Sequence, residues 1–569
     1  MNKHNKTLFI FLLLASFSII YSCNDSAKPG QSKIVLDPAK MDQEAGEIIQ
    51  EALEFALQHN GLIDDSIRLK LASVVNDFYD NNEYANVWSK KEQWSPLTDT
   101  LLNFIQQGEL YGLFPKDYHL KNLRLLKTTL DGDSVKRMNA ALWAKADMML
   151  TDAFMHLIRD LKVGRLNPDS ILFNKKDTGT KKDFYTVALK MLLEHKNFSG
   201  LVHEIEPKQF GYSELKKRIP GFLDSMDIRE YTYVPYPFKA NDEKDSVFFV
   251  RKFQKRLKES GCMDEDNKLP DSLQQTVAIK KYQKKKGIKQ DGKVSAALVR
   301  NMNLTDMERF KRIAITLDRY KQLPSVMPEK YILVNLPAYY LKVWDHDSVA
   351  LESKVICGKP DTRTPLLNSV ISDMVIYPTW TVPNSIISKQ YLPKLKINPN
   401  YLSRIGLRLV DGKGETVNPE GVNWSKYKKN IPFKVMQASG DDNALGILKF
   451  NFSNPFSVYL HDTNQRYLFK NAARALSHGC VRVQQWQELA FFIARNDSLN
   501  LQPGDSLRYN TDSIKNWLAK KEKKRIVVKN GIPLFIAYFS CEGKGDKIRF
   551  YDDIYGEDKL MRERYFSTK

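Results

Sequence analysis

Val458-Tyr459-Leu460-His461-Asp462-Thr463 is a strand-like run, and nineteen positions beyond its histidine a cysteine sits within Ser477-His478-Gly479-Cys480-Val481-Arg482-Val483. A thiol needs a base to attack at neutral pH, because free cysteine titrates near about 8.5 and only the thiolate is nucleophilic. Two histidines compete for that role. His461, at a strand end in a separate segment, can stand opposite the thiol, whereas His478 lies two residues before it; His461 is the expected base. Gly479 permits a tight turn that aims backbone N–H groups at one point. There an oxyanion would gain roughly 3 kcal/mol per donor. A buried structural cysteine is the commoner fate of a free thiol, and the neighbouring glycine argues against it. Zinc held by His461, His478 and Cys480 is less well supported, since a structural site asks for four ligands, usually with paired cysteines. No metal and no cofactor is expected.

Around this block the sequence alternates with period two. Tyr331 to Trp344 and Ser348 to Ile356 are rich in Val, Ile, Leu and Tyr and flank the turn-like Asp345-His346-Asp347, which reads as a hairpin. Further strands are expected at Met374 to Tyr377, Phe433 to Gln437, Gly446 to Phe450 and Ser457 to Leu460, so that sheet residues lead into His461. Ser388 to Ile431, with many Lys, Asn, Pro and Gly, interrupts that pattern.

The block resembles the L,D-transpeptidase signature, in which a histidine, a spacer of similar length, then Ser/Thr-His-Gly-Cys and an arginine carry peptidoglycan cross-linking. The resemblance extends to Asn335-Leu336-Pro337, Gly358-Lys359-Pro360-Asp361-Thr362, Trp380-Thr381-Val382-Pro383, Asn443-Ala444-Leu445-Gly446 and Lys449-Phe450, in the order found in the multidomain members. It implies a catalytic domain over 331–508, a capping insertion over 388–431 and a β-rich C-terminal extension over 509–569. It also implies Cys480 as nucleophile and His461 as general base and acid, with His478, Gly479 and Ser477 shaping the pocket or oxyanion hole. Arg482 and Arg474 would meet carboxylates of a diaminopimelate-containing stem, their bland alternative being surface charge. Tyr459 and Trp380 would line the cleft or belong to the core. The implied activity is a 3-3 cross-link formed through a Cys480 thioester with release of D-alanine. The alternatives are an L,D-carboxypeptidase that trims the stem, or an inert cell-wall-binding lipoprotein.

Upstream, Val247 to Asn303 holds Leu257, Gly261, Ala278, Tyr282, Gln283, Gly287 and Asp291-Gly292 in the order of a three-helix peptidoglycan-binding domain, expected over 245–304. Lys268-Leu269-Pro270-Asp271-Ser272 replaces the usual glycine-rich link between its first helices. From about Glu44 to Ile228 apolar residues recur at helical spacing, as in Met148, Leu150, Ala153, Phe154, Leu157, Ile158 and Leu161. Breakers at Asn60-Gly61, Gly112, Pro115 and Gly164 through Pro168 punctuate them. By the resemblance this is a helical scaffold, expected over 44–235, which makes the fold class multidomain α+β: scaffold, three-helix module and mostly-β catalytic domain. At the N-terminus, Lys3 and Lys6 precede an apolar run from Leu8 to Ile20 that ends at Ser22-Cys23. It looks like a lipoprotein export signal over 1–22, with lipid on Cys23, or else a plain secretion signal or anchor. A tether over 23–43 follows.

These ends restrict the partners. The formal charge of +20 would suit nucleic acid, but an export signal and the lack of any nucleic-acid motif favour an anionic envelope polymer, or merely solvated lysine-rich faces. The expected location is the cell envelope, periplasmic and membrane-anchored through lipid, with a role in cell-wall biogenesis and cell shape. Five cysteines, two of them already given roles, leave three, too few for a paired framework.

Overall fold

The computed structural model describes residues 32–166, 182–235, 243–264, 272–501 and 509–566. The leader with Cys23, the end of the Gly164 to Pro168 breaker and most of Lys268 to Ser272 lie outside them. The chain divides into two compact units, one of residues 1–105, 116–157 and 185–196, the other of 106–115, 158–184 and 197–569.

The first unit is helical, with helices Met41–Gln58, Ala72–Asp80 and Leu120–Gly132. Its core includes Trp88, Trp143, Tyr79 and Phe154. Asp147 is buried within it and accepts from the Tyr79 hydroxyl at 2.5 Å and from the N–H groups of Val87 and Trp88 at 3.0 and 2.9 Å. Burial nevertheless pushes its carboxyl up to about 6.

In the second unit three helices, Glu243–Glu259, Ser272–Lys285 and Ala296–Asn303, close on Phe253, Leu257, Ala278, Tyr282 and Leu298. Gln283 explains two of the sequence markers. Its amide donates to Asp291 at 2.8 Å and accepts from the Gly292 N–H at 2.9 Å, so the Asp-Gly turn satisfies a buried amide that would otherwise cost stability.

The β-rich part is built from β1 (Lys330–Asn335), β2 (Tyr340–Asp345), β3 (Ser348–Gly358), β4 (Leu367–Ile376), β5 (Trp380–Thr381), β6 (Leu407–Val410), β7 (Lys434–Gln437), β8 (Leu448–Phe452), β9 (Leu460–His461), β10 (Ala475–Ser477), β11 (Val481–Val483), β12 (Lys524–Val527) and β13 (Pro533–Ala537). The main sheet runs β8-β9-β11-β3-β2-β1-β13-β4, and β4 pairs back with β8, so the circuit closes. Inside it, Ile332, Val334, Leu341, Val355, Phe450, Leu460 and Val481 meet Leu489 and Ile493 of helix Trp486–Leu499.

The strand expected at Phe433 to Gln437 is present as β7, which pairs with β5 and β6, and these three strands enclose a core of their own with Ile387, Leu395, Leu402 and Trp424. One expectation needs correction here: the stretch from 509 onward is not wholly an appended extension, because two of its strands join the main sheet, whereas Cys541–Lys544 and Lys547–Phe550 form a separate two-stranded sheet. β12 pairs with β4, and β13 lies between β1 and β4 in parallel with β1. Strand pairing is non-local, so a run of Ile, Leu and Phe does not announce its neighbour.

The outer side of the sheet is covered by helix Asp306–Tyr320 and by Tyr212, Leu215 and Ile219, which pack on Tyr331, Leu333 and Phe535. Arg312 and Arg319, seven residues apart on that helix, share the buried carboxylate of Asp558 at 2.9 and 2.6 Å.

Candidate active site

Alternation along β8, β9 and β11 sorts their side chains onto two faces. Leu448, Phe450, Leu460, Val481 and Val483 belong to the core, so Lys449, His461 and Arg482 face the other way. The three stand abreast, because the register pairs Lys449 with His461 and His461 with Arg482. Tyr459 and Cys480, two residues earlier on two of these lines, share that side.

The turn that presents the thiol is held by hydroxyls. Gly479 has φ +124°, a conformation that favours glycine. Ser477 Oγ donates to the Cys480 carbonyl at 2.6 Å and accepts from the Gly479 N–H at 3.2 Å, while Thr364 Oγ1 donates to the Gly479 carbonyl at 2.7 Å. Ser477 and Gly479 therefore shape the turn, and the Gly479 N–H is already engaged. Thr364, more than a hundred residues upstream, carries no local signal in the sequence.

Burial pushes the Cys480 thiol up, and hydrogen bonds from the Tyr459 N–H and hydroxyl, with the charges of Lys449 and Arg482, pull the other way. Tyr459 is in turn hydrogen-bonded by Trp380. Trp380 lies in β5, an edge strand of the small sheet, so a chain of contacts runs from that sheet through Tyr459 to the sulfur.

His461 is 4% exposed and meets the Tyr459 ring edge-on, with centroids 5.5 Å apart. Burial first, then the charges of Arg482 and Lys449, pushes its pKa down to about 3, against the pull of the Asp462 and Leu445 carbonyls. Nδ1 nevertheless makes no hydrogen bond of regular geometry. The imidazole is thus neutral and able to accept a proton. Asp462 does not orient it. Its carboxylate accepts from Arg466 at 3.1 and 2.5 Å and from the Ile447 N–H at 3.0 Å. It lies so close to Gly446 that a Cβ there would stand 2.3 Å from Oδ2. Asp462 therefore clamps the Asn443 to Gly446 turn against the strand of His461.

His478 is exposed and touches Gln390 of the inserted segment; partial burial, Lys359 and Arg482 lower its pKa. Arg482 donates to Gln465 Oε1 at 3.0 Å, and its Nε is buried without a partner. Arg474 differs from the expectation of a substrate fork. Its Nε, Nη1 and Nη2 donate to the carbonyls of Val355, Asn471 and Tyr339 at 3.0, 2.9 and 2.8 Å, so it staples the backbone before β10. Sequence reasoning missed Lys449 as part of the cluster, because it lies near the other residues only through sheet register. The remaining thiols are core groups: burial pushes Cys357 up to about 11 and Cys541 up to about 12. Among the described residues no group of three or more His, Cys, Asp and Glu is arranged to hold a metal ion.

A half-buried thiol, a neutral imidazole and two cations on one face form a set suited to acyl transfer by a cysteine. Residues 329–505 match the L,D-transpeptidase catalytic domain, which defines the class. Residues 73–219 match the Scaffold domain, so the chain carries a Scaffold domain together with an L,D-transpeptidase catalytic domain. A Haemophilus influenzae protein, provisionally named an L,D-transpeptidase, is 33% identical over 252 residues, 44% of this chain and 49% of its own length. The chain thus matches about half of that relative. Similar solved structures include an L,D-transpeptidase from Mycobacterium smegmatis, at 13% identity and TM-score 0.18 over 37% of this chain and 58% of its own. The catalytic domain of an E. faecium L,D-transpeptidase acylated by ertapenem has 13% identity and TM-score 0.17 over 37% of this chain and 98% of its own.

Proposed function

We propose that the chain is an L,D-transpeptidase that forms 3-3 cross-links in peptidoglycan. The observation that carries this reading is the common face of Cys480, His461 and Arg482 beside the inserted sheet. His461 takes the thiol proton, and sulfur attacks the carbonyl between the third, diaminopimelate residue and the terminal D-alanine of a tetrapeptide stem. The tetrahedral intermediate collapses to a thioester as the imidazolium gives its proton to the departing D-alanine amine. A side-chain amine of a second stem then attacks, releases the thiol and leaves the cross-link. Arg482, with an unpartnered Nε, supplies the donor for a stem carboxylate.

The helical region of 44–235 serves as scaffold, the three helices of 245–304 as a peptidoglycan-binding module, and Cys23 as the lipid anchor that keeps the enzyme in the cell envelope. Mass spectrometry of muropeptides incubated with the mature chain tests the activity. Cross-linked dimers with free D-alanine are expected. Tripeptides alone would mean an L,D-carboxypeptidase, and an unchanged digest would mean an inert wall-binding protein.

A further inference from the structure

Lys449 has no part in the acyl-transfer scheme above, yet it stands at one end of the row it forms with His461 and Arg482. It stands beside His461 in the strand register, and its ammonium sits 4.0 Å from the centroid of the Tyr459 ring. That ring belongs to the residue whose N–H and hydroxyl bind the Cys480 sulfur. A cation over an aromatic face is attracted by the ring quadrupole, which fixes this charge beside the nucleophile without an acid to neutralise it. Among the described residues no carboxylate forms a salt bridge with Lys449. Asp373, the acid whose field it feels, is itself bound by Asn451 at 2.7 Å and Arg525 at 3.3 Å.

We propose that Lys449, seated on Tyr459, is the positioning residue that sets the acidity of both partners of the proton transfer. The inference rests on Cys480 being the nucleophile. The groups facing the thiol are Tyr459, His461, Lys449 and Arg482, with Trp380 behind Tyr459 and Asp373 behind Lys449. When the S–H bond breaks, the proton passes to His461 and the negative charge stays on sulfur. The ammonium lowers the energy of that thiolate, while the same charge disfavours the imidazolium and makes it a stronger acid. A stronger acid protonates the leaving amine more readily. Lys449 thereby shifts the balance from holding the proton toward passing it on. Burial alone would push the thiol up, and Lys449 is one of the few charges opposing that rise.

The test is the pH dependence of Cys480 alkylation by iodoacetamide, followed by mass spectrometry of the Cys480 peptide in the full chain. This readout needs no peptidoglycan, so it stands even if the acyl donor is not a stem peptide. Lys449→Met keeps the apolar stem over Tyr459 and removes the charge; its alkylation midpoint should move up by about one pH unit. Lys449→Arg should restore the wild-type midpoint. Melting curves identify a misfolded variant, and Lys449→Gln serves as a second neutral side chain. Unchanged midpoints in folded Lys449→Met and Lys449→Gln would overturn the proposal, as would a Lys449→Arg midpoint equal to theirs.

Discussion

At the scale of single residues the thiol and the imidazole are both held in neutral form, and each makes a prediction. Cys480→Ala removes the sulfur with little change in volume, so dimer formation and D-alanine release should vanish in muropeptide digests while the melting temperature stays close to wild type; Cys541→Ala should keep the activity. His461→Ala should slow acylation by roughly 100-fold or more, the usual contribution of a positioned base, and more than His478→Ala does. His461 also makes stability depend on pH. In the folded chain it titrates at about 3, whereas an unfolded histidine does so near about 6.5. Between these values the unfolded chain binds the extra proton, so stability falls as the pH is lowered, by at most about 1.4 kcal/mol per pH unit. Thermal melts of wild type from pH 7 to 4 should therefore fall more steeply than those of His461→Gln. The pair His461 and Cys480 was legible in the sequence because a short block carries both. Lys449 and Thr364 were not, since only strand register and a distant turn bring them in, and Arg474 resembled a free fork because its carbonyl partners are backbone atoms.

At the scale of elements, the inserted sheet of β5, β6 and β7 reaches the site at two points, Trp380 against Tyr459 and Gln390 against His478. Its separate core means that it can be altered without dismantling the main sheet. Replacing 388–431 with a Gly/Ser linker should shift products from cross-linked dimers toward trimmed tripeptides, because a cover that excludes water favours the amine. An unchanged dimer-to-tripeptide ratio in a folded variant would rule out that guarding role. The composition of this segment marked it as an interruption of the sheet. It hid the segment's own fold, since Leu392, Leu395, Leu402 and Trp424 are scattered among Lys, Asn and Pro and show no sustained period.

At the scale of the molecule, Asp558 ties helix Glu557–Tyr565 to two arginines of helix Asp306–Tyr320. Asp558→Ala leaves two buried guanidinium groups without their carboxylate, and a loss of about 3–5 kcal/mol is expected in denaturant titrations. The sequence showed the succession of helical and strand-rich regions, because period and composition change along it. It did not show that β12 and β13 belong inside the sheet. With β13 between β1 and β4, the edges of both earlier strands stay bare until residue 537 has been made, and roughly two hundred residues must loop out before the circuit can shut. Such distant pairings form slowly, and unpaired edges invite association with other chains. A nascent or clipped chain that already contains the whole histidine and cysteine block would thus be sticky and catalytically unformed, so the nucleophile comes into being only once β13 has been made.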